Sequence, residues 1–479
     1  VIDPSRVWAW TTAAPVLAAL AVFFLTLIDP FEFESASNRQ SAKVFYKVYA
    51  ADYPQTMRDN ITVVFLDDAT LDHAKQAWPA NHLVHGAVLQ AIRSYQPAAV
   101  LVDLFFLKPR PDDHFDHSID ELKNYQDDHI PILLVAGTKG TGATTPIRGD
   151  MAKRATLVSA ELEGAPGEAQ LYPMTEADGK YPAAAWALYQ AVCARKAATE
   201  DHRLDWIPDC SAASANPPPY PLMEVVWGLQ PAKRNCDIAE DDKQKEACRE
   251  GAWDFWGRLF QLFWASLIPV HDRNIDPLPV PYHAQVSAQD LLDGNKDFAK
   301  LLTGKVVIYA SHVAPVKDLV TTPVQGPIDG AFIHAMALDN LLTWGRNYMH
   351  QSPVEGTTHK EWTEFVPAVV MALVSLVVWA RRRYVVAHVT SATSVEELRE
   401  KDEKLLAWAR WVVYAFIAGA CYLLTVVYGT SPVNWLGLLI VVHVAHWIEK
   451  WFFKSVAREL RAAGSTAAYI RAASSGLGE

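Results

Sequence analysis

"ITVVFLDD", residues 61 to 68, decides how the rest of the chain is read. It is an unbroken run of apolar and β-branched residues that closes on two carboxylates. A run of this length without alternation suits a strand covered on both faces, as the strands of parallel sheets are. Three more runs share the pattern: "AAVLVD" (98–103), "ILLVAG" (132–137) and "KVVIYA" (305–310). Helical spacing separates the first three, in "HLVHGAVLQAIRSY" (82–95) and "DHSIDELKNYQ" (116–126). Strand, helix, strand at this spacing predicts an α/β domain with a mainly parallel sheet.

The strands deliver polar groups at their carboxyl ends. The first ends in Asp67 and Asp68 and the second in Asp103; the last ends in Ser311 and His312, with Asp318 in the following loop. Open α/β sheets bind ligands outside that edge, so these six residues are the candidate binding set for a small ligand of unknown identity. Aspartate is also a preferred N-cap, and capping of the following helices is the competing role.

Outside this domain the composition changes. Residues 7–29 carry no charge before the last position and are long enough for a transmembrane helix. Residues 364–380, 405–428 and 436–453 are three more expected spans. Arg381, Arg382 and Arg383 follow the second span, and Lys450, Lys454, Arg458 and Arg461 mark the end of the fourth. Positive flanks face the cytoplasm. The expected topology therefore has both termini cytoplasmic, a cytoplasmic loop at 381–404, a cytoplasmic tail at 454–479 and residues 30–360 outside, in the periplasm of a bacterial inner-membrane protein. Ser394 and Glu397 form a capping box, and the helix they start is expected to run into the third span. The net charge of -11 argues against a nucleic-acid partner. The lipid bilayer and a protein are the expected partners, with a homo-oligomer as a further option.

Cys193, Cys210, Cys236 and Cys248 all fall in the outer segment, and Cys421 falls in a span. Four cysteines in an oxidising compartment fit two disulfides. Three connectivities are open; neighbour pairing is the expected one.

The order of motifs in the outer segment resembles the type-2 CHASE domain, an extracellular sensory module. They are "VVFLDDATL", Trp78–Pro79, "PAAVLVDLFF", "DGKYPAAAWALYQA" (178–191), "PYHAQVSAQDLL", "GKVVIYAS", "DLVTTP" and "DGAFIHAMALDNLL". The resemblance covers roughly residues 30–345, with an insertion at about 195–264. It implies ligand sensing outside the cytoplasm, one span before the domain and about three after it. Two departures stand out. The turn after "GKVV" is "SHVAPVKD" where the family has small residues, and only 26 residues follow the fourth expected span, too few for a catalytic output core.

Other clusters bring together chemistry-bearing side chains. Ser311, His312, Asp318 and His334 do not make a hydrolase site, since no G-x-S-x-G elbow accompanies them; no enzymatic activity is expected. His334 is expected to bury its ring and hydrogen-bond a loop carbonyl at a helix start. Asp112, His114, Asp116 and His117, with Asp113 and Asp120 nearby, are weak candidates for a divalent ion and do not match an EF-hand. His443 and His446 share a helical face in the last expected span. Haem there is a minor possibility, and hydrogen bonding between helices is the ordinary one. Trp253, Trp256, Phe260, Phe263 and Trp264 follow helical spacing and suit a membrane surface, a partner or the domain's own core. Two functions remain: a sensor that relays to a separate partner, or a structural or assembly subunit of an envelope complex that reuses the sensory fold.

Overall fold

The computed structural model describes residues 17, 41, 42, 44–106, 114–136, 149–162, 171–174, 181–208, 210, 213, 214, 220–239, 241–250, 280–294, 296–314, 318–350, 366–388, 395–397, 400, 415–430, 432–439, 443, 447 and 450–462. The chain forms two compact units, Tyr46–Gln351 on one hand and Val1–Phe45 with Ser352–Glu479 on the other.

The Tyr46–Gln351 unit is built on a parallel sheet. Its strands are β1 (Ile61–Asp67), β2 (Ala99–Asp103), β3 (Ile132–Val135), β4 (Thr156–Val158), β7 (Ala284–Ser287) and β8 (Val306–His312), in the order β4-β3-β2-β8-β1-β7. All five neighbour pairs are parallel. Two small antiparallel ladders stand apart from it, β5 (Leu171–Pro173) with β6 (Leu222–Glu224), and β9 (Leu319–Thr322) with β10 (Gly326–Asp329). The expected α/β, mainly parallel architecture is the observed one. The unbroken apolar runs have the predicted cause, since Ile61 to Leu66 are all buried.

Alternation along the strands sorts side chains between two faces. Val64, Leu66, Val100, Val102, Val307 and Tyr309 share one core with α2 (His82–Ser94), α3 (Phe115–Asp127) and α5 (Ala288–Leu292). The other face carries Phe65, Leu101 and Ile308, and is covered by α4 (Ala184–Ala198) and α6 (Ala331–Trp344). Phe65 meets Phe332 of α6 with ring centroids 5.7 Å apart.

The order of strands has one consequence for function. β8, the last strand in sequence, lies between β1 and β2. Chain leaving β1 and β2 turns to the α2–α3 face, whereas chain leaving β8 turns to the α6 face. Connections that part in opposite directions define a topological switch point, the usual place for a ligand in an open α/β sheet, here at the end of β8.

The second unit contains α7 (Val366–His388). Its uncharged part runs from Val366 to Ala380 and ends at Arg381, so 15 residues give about 22 Å at the helical rise. A bilayer core needs roughly 30 Å. Among the described residues no helix is long and apolar enough to cross a membrane. The expected spans 7–29, 364–380, 405–428 and 436–453 lie wholly or partly outside the described residues. Arg381, Arg382 and Arg383 lie over the rings of Phe453, Phe452 and Trp379, at 5.2, 4.6 and 5.5 Å.

Candidate functional site

The carboxyl edge can be assembled strand by strand. In register, Asp67 of β1 pairs with His312 of β8, and Asp103 of β2 pairs with Ala310. Alternation puts Asp67, Asp103 and His312 on the α6 face. Ser311 points to the opposite face, the side of Tyr309.

These residues are used in different ways. Asp67 caps α1 (Asp68–Ala74): its carboxylate accepts the Thr70 N–H at 2.9 Å and the Thr70 hydroxyl at 2.6 Å. Asp68 accepts the Ala314 N–H at 3.2 Å and ties down the loop after β8. His312 Nδ1 lies 2.8 Å from Asp329 Oδ1 at the end of β10. Asp318 stands at the other foot of the β9–β10 hairpin, where its carbonyl accepts the Gly330 N–H at 2.7 Å. A side chain at 330 would run into the Asp318 carboxylate, so glycine there allows the hairpin base to close.

Asp103 differs from the others. Its side chain is 11% exposed, and among the described residues its carboxylate accepts no hydrogen bond. His334 Nε2, in the first turn of α6, stands 3.9 Å away. Burial of the carboxylate pushes its pKa up to about 6. Burial pushes the His334 ring down to about 4, against the opposing pull of Asp318. Asp318 is itself raised, first by desolvation and then by the charge of Asp103. At neutral pH the edge therefore presents Asp103 and Asp318 beside a neutral imidazole.

The ring is held from its other side. Tyr172 of β5 contacts His334 Nδ1 at 2.7 Å, and its oxygen accepts the Ala185 N–H at 3.0 Å. The phenol keeps its own proton and a second acceptor position, so it can meet Nδ1 in either tautomer of the neutral ring. His334 thus buries its ring at a helix start as expected, but its partner is a phenol where a loop carbonyl was expected. Tyr172 and Asp329 were not singled out from the sequence. Asp329 precedes the α6 run in "PIDG", a signal that was available. Tyr172 sits in a three-residue strand that offered none.

The other candidates separate. His117 packs its ring on Gly86 of α2, and the neighbouring Ser118 hydroxyl donates to the His82 carbonyl at 2.9 Å. His114 and Asp116 are exposed. Among the described residues no group of three or more His, Cys, Asp or Glu is arranged to hold a metal ion. Asp112, Trp253, Trp256, Phe260, Phe263, Trp264 and His446 lie outside the described residues, and His443 is exposed on a helix. Cys193 is bonded to Cys210 and Cys236 to Cys248. The first bond joins the end of α4 to the insertion. The second joins the short helices Lys233–Asp237 and Asp242–Glu250.

A parallel α/β domain with a polar carboxyl edge at its switch point and two disulfides fits the class of extracellular sensory modules. Disulfides persist in oxidising compartments, so a periplasmic setting agrees with them. A family model described as the CHASE2 domain matches residues 16–378, three quarters of the chain. The chain belongs to that family of sensory domains. No curated protein and no solved structure matches it.

Proposed function

We propose that this chain is a membrane-anchored sensor whose CHASE2 domain binds a small ligand at the carboxyl edge of the sheet and relays the event to a separate protein. The observation that supports it is the Asp103 carboxylate, largely buried at the switch point, accepting no hydrogen bond among the described residues and standing beside a neutral imidazole. A buried carboxylate without donors is costly, and a ligand bringing positive charge or N–H donors offsets that cost. Asp318 and Asp329 add to the same field. Ser311 lies on the far face of the sheet from His334, in keeping with a binding rather than a hydrolytic role. Four spans with both termini cytoplasmic remain the membrane topology of this reading. The test is thermal unfolding of the full chain in lipid nanodiscs against a panel of amines, amino acids and divalent cations. A ligand that raises Tm by several degrees in the wild type, and not in Asp103→Asn, is the expected result. A panel member that stabilises both proteins equally would refute the assignment of this edge.

A scaffold function is favoured by a different observation. Asp67, Asp68, His312 and Asp329 each already have a partner within the chain. Under that reading no panel member shifts the wild type, and purification in mild detergent retains stoichiometric structural chains through washing.

A further inference from the structure

The chain enters and leaves the Tyr46–Gln351 unit beside one three-residue strand. Tyr46, buried on the entering side, donates its phenol to Glu224 at the end of β6. On the leaving side the Glu224 N–H donates to the Met349 carbonyl at 2.8 Å, and Met223 pairs with His350 as an antiparallel bridge. Tyr220, just before β6, stacks on His350 with centroids 3.3 Å apart, and its carbonyl accepts the Tyr348 hydroxyl at 2.7 Å. β6 is therefore clasped by both ends of the unit. Among the described residues its ladder partner is β5, in the register Leu171 with Glu224 and Tyr172 with Met223. Tyr172 is the residue whose phenol holds His334.

We propose that the β5–β6 ladder is the internal relay of this sensor: a change at Asp103 and His334 reaches the two ends of the unit through the Tyr172 phenol and the Glu224 clasp. From His334 the contacts run as a series of hydrogen bonds and strand pairs to both ends of the unit, and Asp103 stands 3.9 Å from the His334 ring at its head. The relay deepens the sensor reading and rests on it for its purpose. Its existence is measurable without any ligand.

A second route competes. α6 also carries Asn340, whose side chain forms both hydrogen bonds of a strand pair with Val226, each at 2.9 Å, and donates to Tyr53 at 3.0 Å. A tilt of α6 would reach the entering segment through Asn340 with no part played by Tyr172. The two routes make different predictions.

The experiment is hydrogen exchange with mass spectrometry on the full chain in nanodiscs, following the Glu224 amide and peptides spanning 346–350. Asp103→Asn serves as the perturbation at the edge, being close in shape. Tyr172→Phe removes only the hydroxyl. In the wild-type background Asp103→Asn is expected to change clasp exchange fivefold or more. In the Tyr172→Phe background the same substitution should change it less than twofold, which is the signature of coupling through one group. An equal change in both backgrounds, especially one abolished by Asn340→Ala, overturns the relay and assigns the coupling to α6. No change at the clasp in either background also overturns it. If Tyr172→Phe does not fold, His334→Gln replaces it: this substitution removes the ring at the other end of the same contact and leaves β5, β6 and the clasp residues unchanged. The ligand panel is read separately, so a relay without a ligand and a ligand without a relay are distinguishable results.

Discussion

At the scale of single residues, Asp103 and His334 are neighbours with opposing effects on stability. Asp103 holds its proton in the folded state up to about pH 6, above the usual carboxylate range. The unfolded chain has already lost that proton, so this group lowers stability as pH rises from about 4 to about 6. His334 titrates near pH 4 in the folded state, below the usual histidine value. The unfolded chain takes up that proton first, so this group lowers stability as pH falls from about 6.5 to about 4. Each effect is worth about 3 kcal/mol over its full window. Across the shared window the two slopes oppose each other, so the wild type should show a shallower Tm profile between pH 4.5 and 6 than the Asp103→Asn variant. Asp103→Asn removes one slope and leaves the other. Its Tm should rise steeply from pH 4.5 to 6.5, and at pH 7 the variant should exceed the wild type by about 1–3 kcal/mol. A flat profile for the variant would mean that His334 is not held neutral by burial. Asp67 belongs to a different class. Its two hydrogen bonds to Thr70 make it an N-cap, so Asp67→Ala should lower stability by about 1 kcal/mol with no change in ligand response. Asp67→Ser should restore most of the loss, as measured by denaturant midpoint.

Whole elements show where sequence reasoning carries and where it stops. Each disulfide closes a short loop, with partners 17 and 12 positions apart in the sequence. Loop entropy gives about 3 kcal/mol for either bond. Replacing Cys193 and Cys210 together by serine should therefore lower the stability of the domain by about that much. The Cys236–Cys248 pair ties two short helices to each other, and its loss should loosen them in proteolysis before the sheet is affected. Gly304, at the turn into β8, has φ +65° and a position where a Cβ would lie 2.8 Å from the Arg203 carbonyl. Gly304→Ala is both strained and crowded, and should destabilise by more than 1 kcal/mol. The four inner strands were legible because burial on both faces leaves an unbroken apolar run. β4 and β7 were not, since three or four residues with mixed exposure at a sheet edge show no period. The same limit hid β5 and β6, and with them Tyr172. The candidate edge was legible as far as carboxylates ending strands can be read. Which of those carboxylates caps a helix and which stays without a donor depends on register and on the face to which each strand turns its last residue. Asp67 and Asp103 are alike in sequence, and only Asp67 is followed at once by a helix whose N–H groups it can satisfy.

For the molecule as a whole, the division at Phe45 and Ser352 separates a domain of mixed composition from flanking chain rich in apolar residues. All four bonded cysteines belong to the first unit, and Cys421 to the second is the one cysteine left reduced. That partition is what an oxidising compartment on one side of a bilayer would produce. The arginine cluster at 381–383 carries the opposite signal, since basic flanks stay on the cytoplasmic side. Together they make the four-span topology testable with two engineered thiols. Thr357→Cys lies between the CHASE2 core and the second expected span, and Ser391→Cys lies beyond the arginines. In a Cys421→Ala background the native disulfides leave no competing thiol. A membrane-impermeant maleimide should label Thr357→Cys in right-side-out vesicles and Ser391→Cys only in inverted ones. Labelling of both from one side would place the Val366–His388 segment on the membrane surface and leave the domain anchored by other means. Labelling in the reverse sense would put the disulfide-bonded domain in the cytoplasm, which the redox chemistry of its four cysteines argues against.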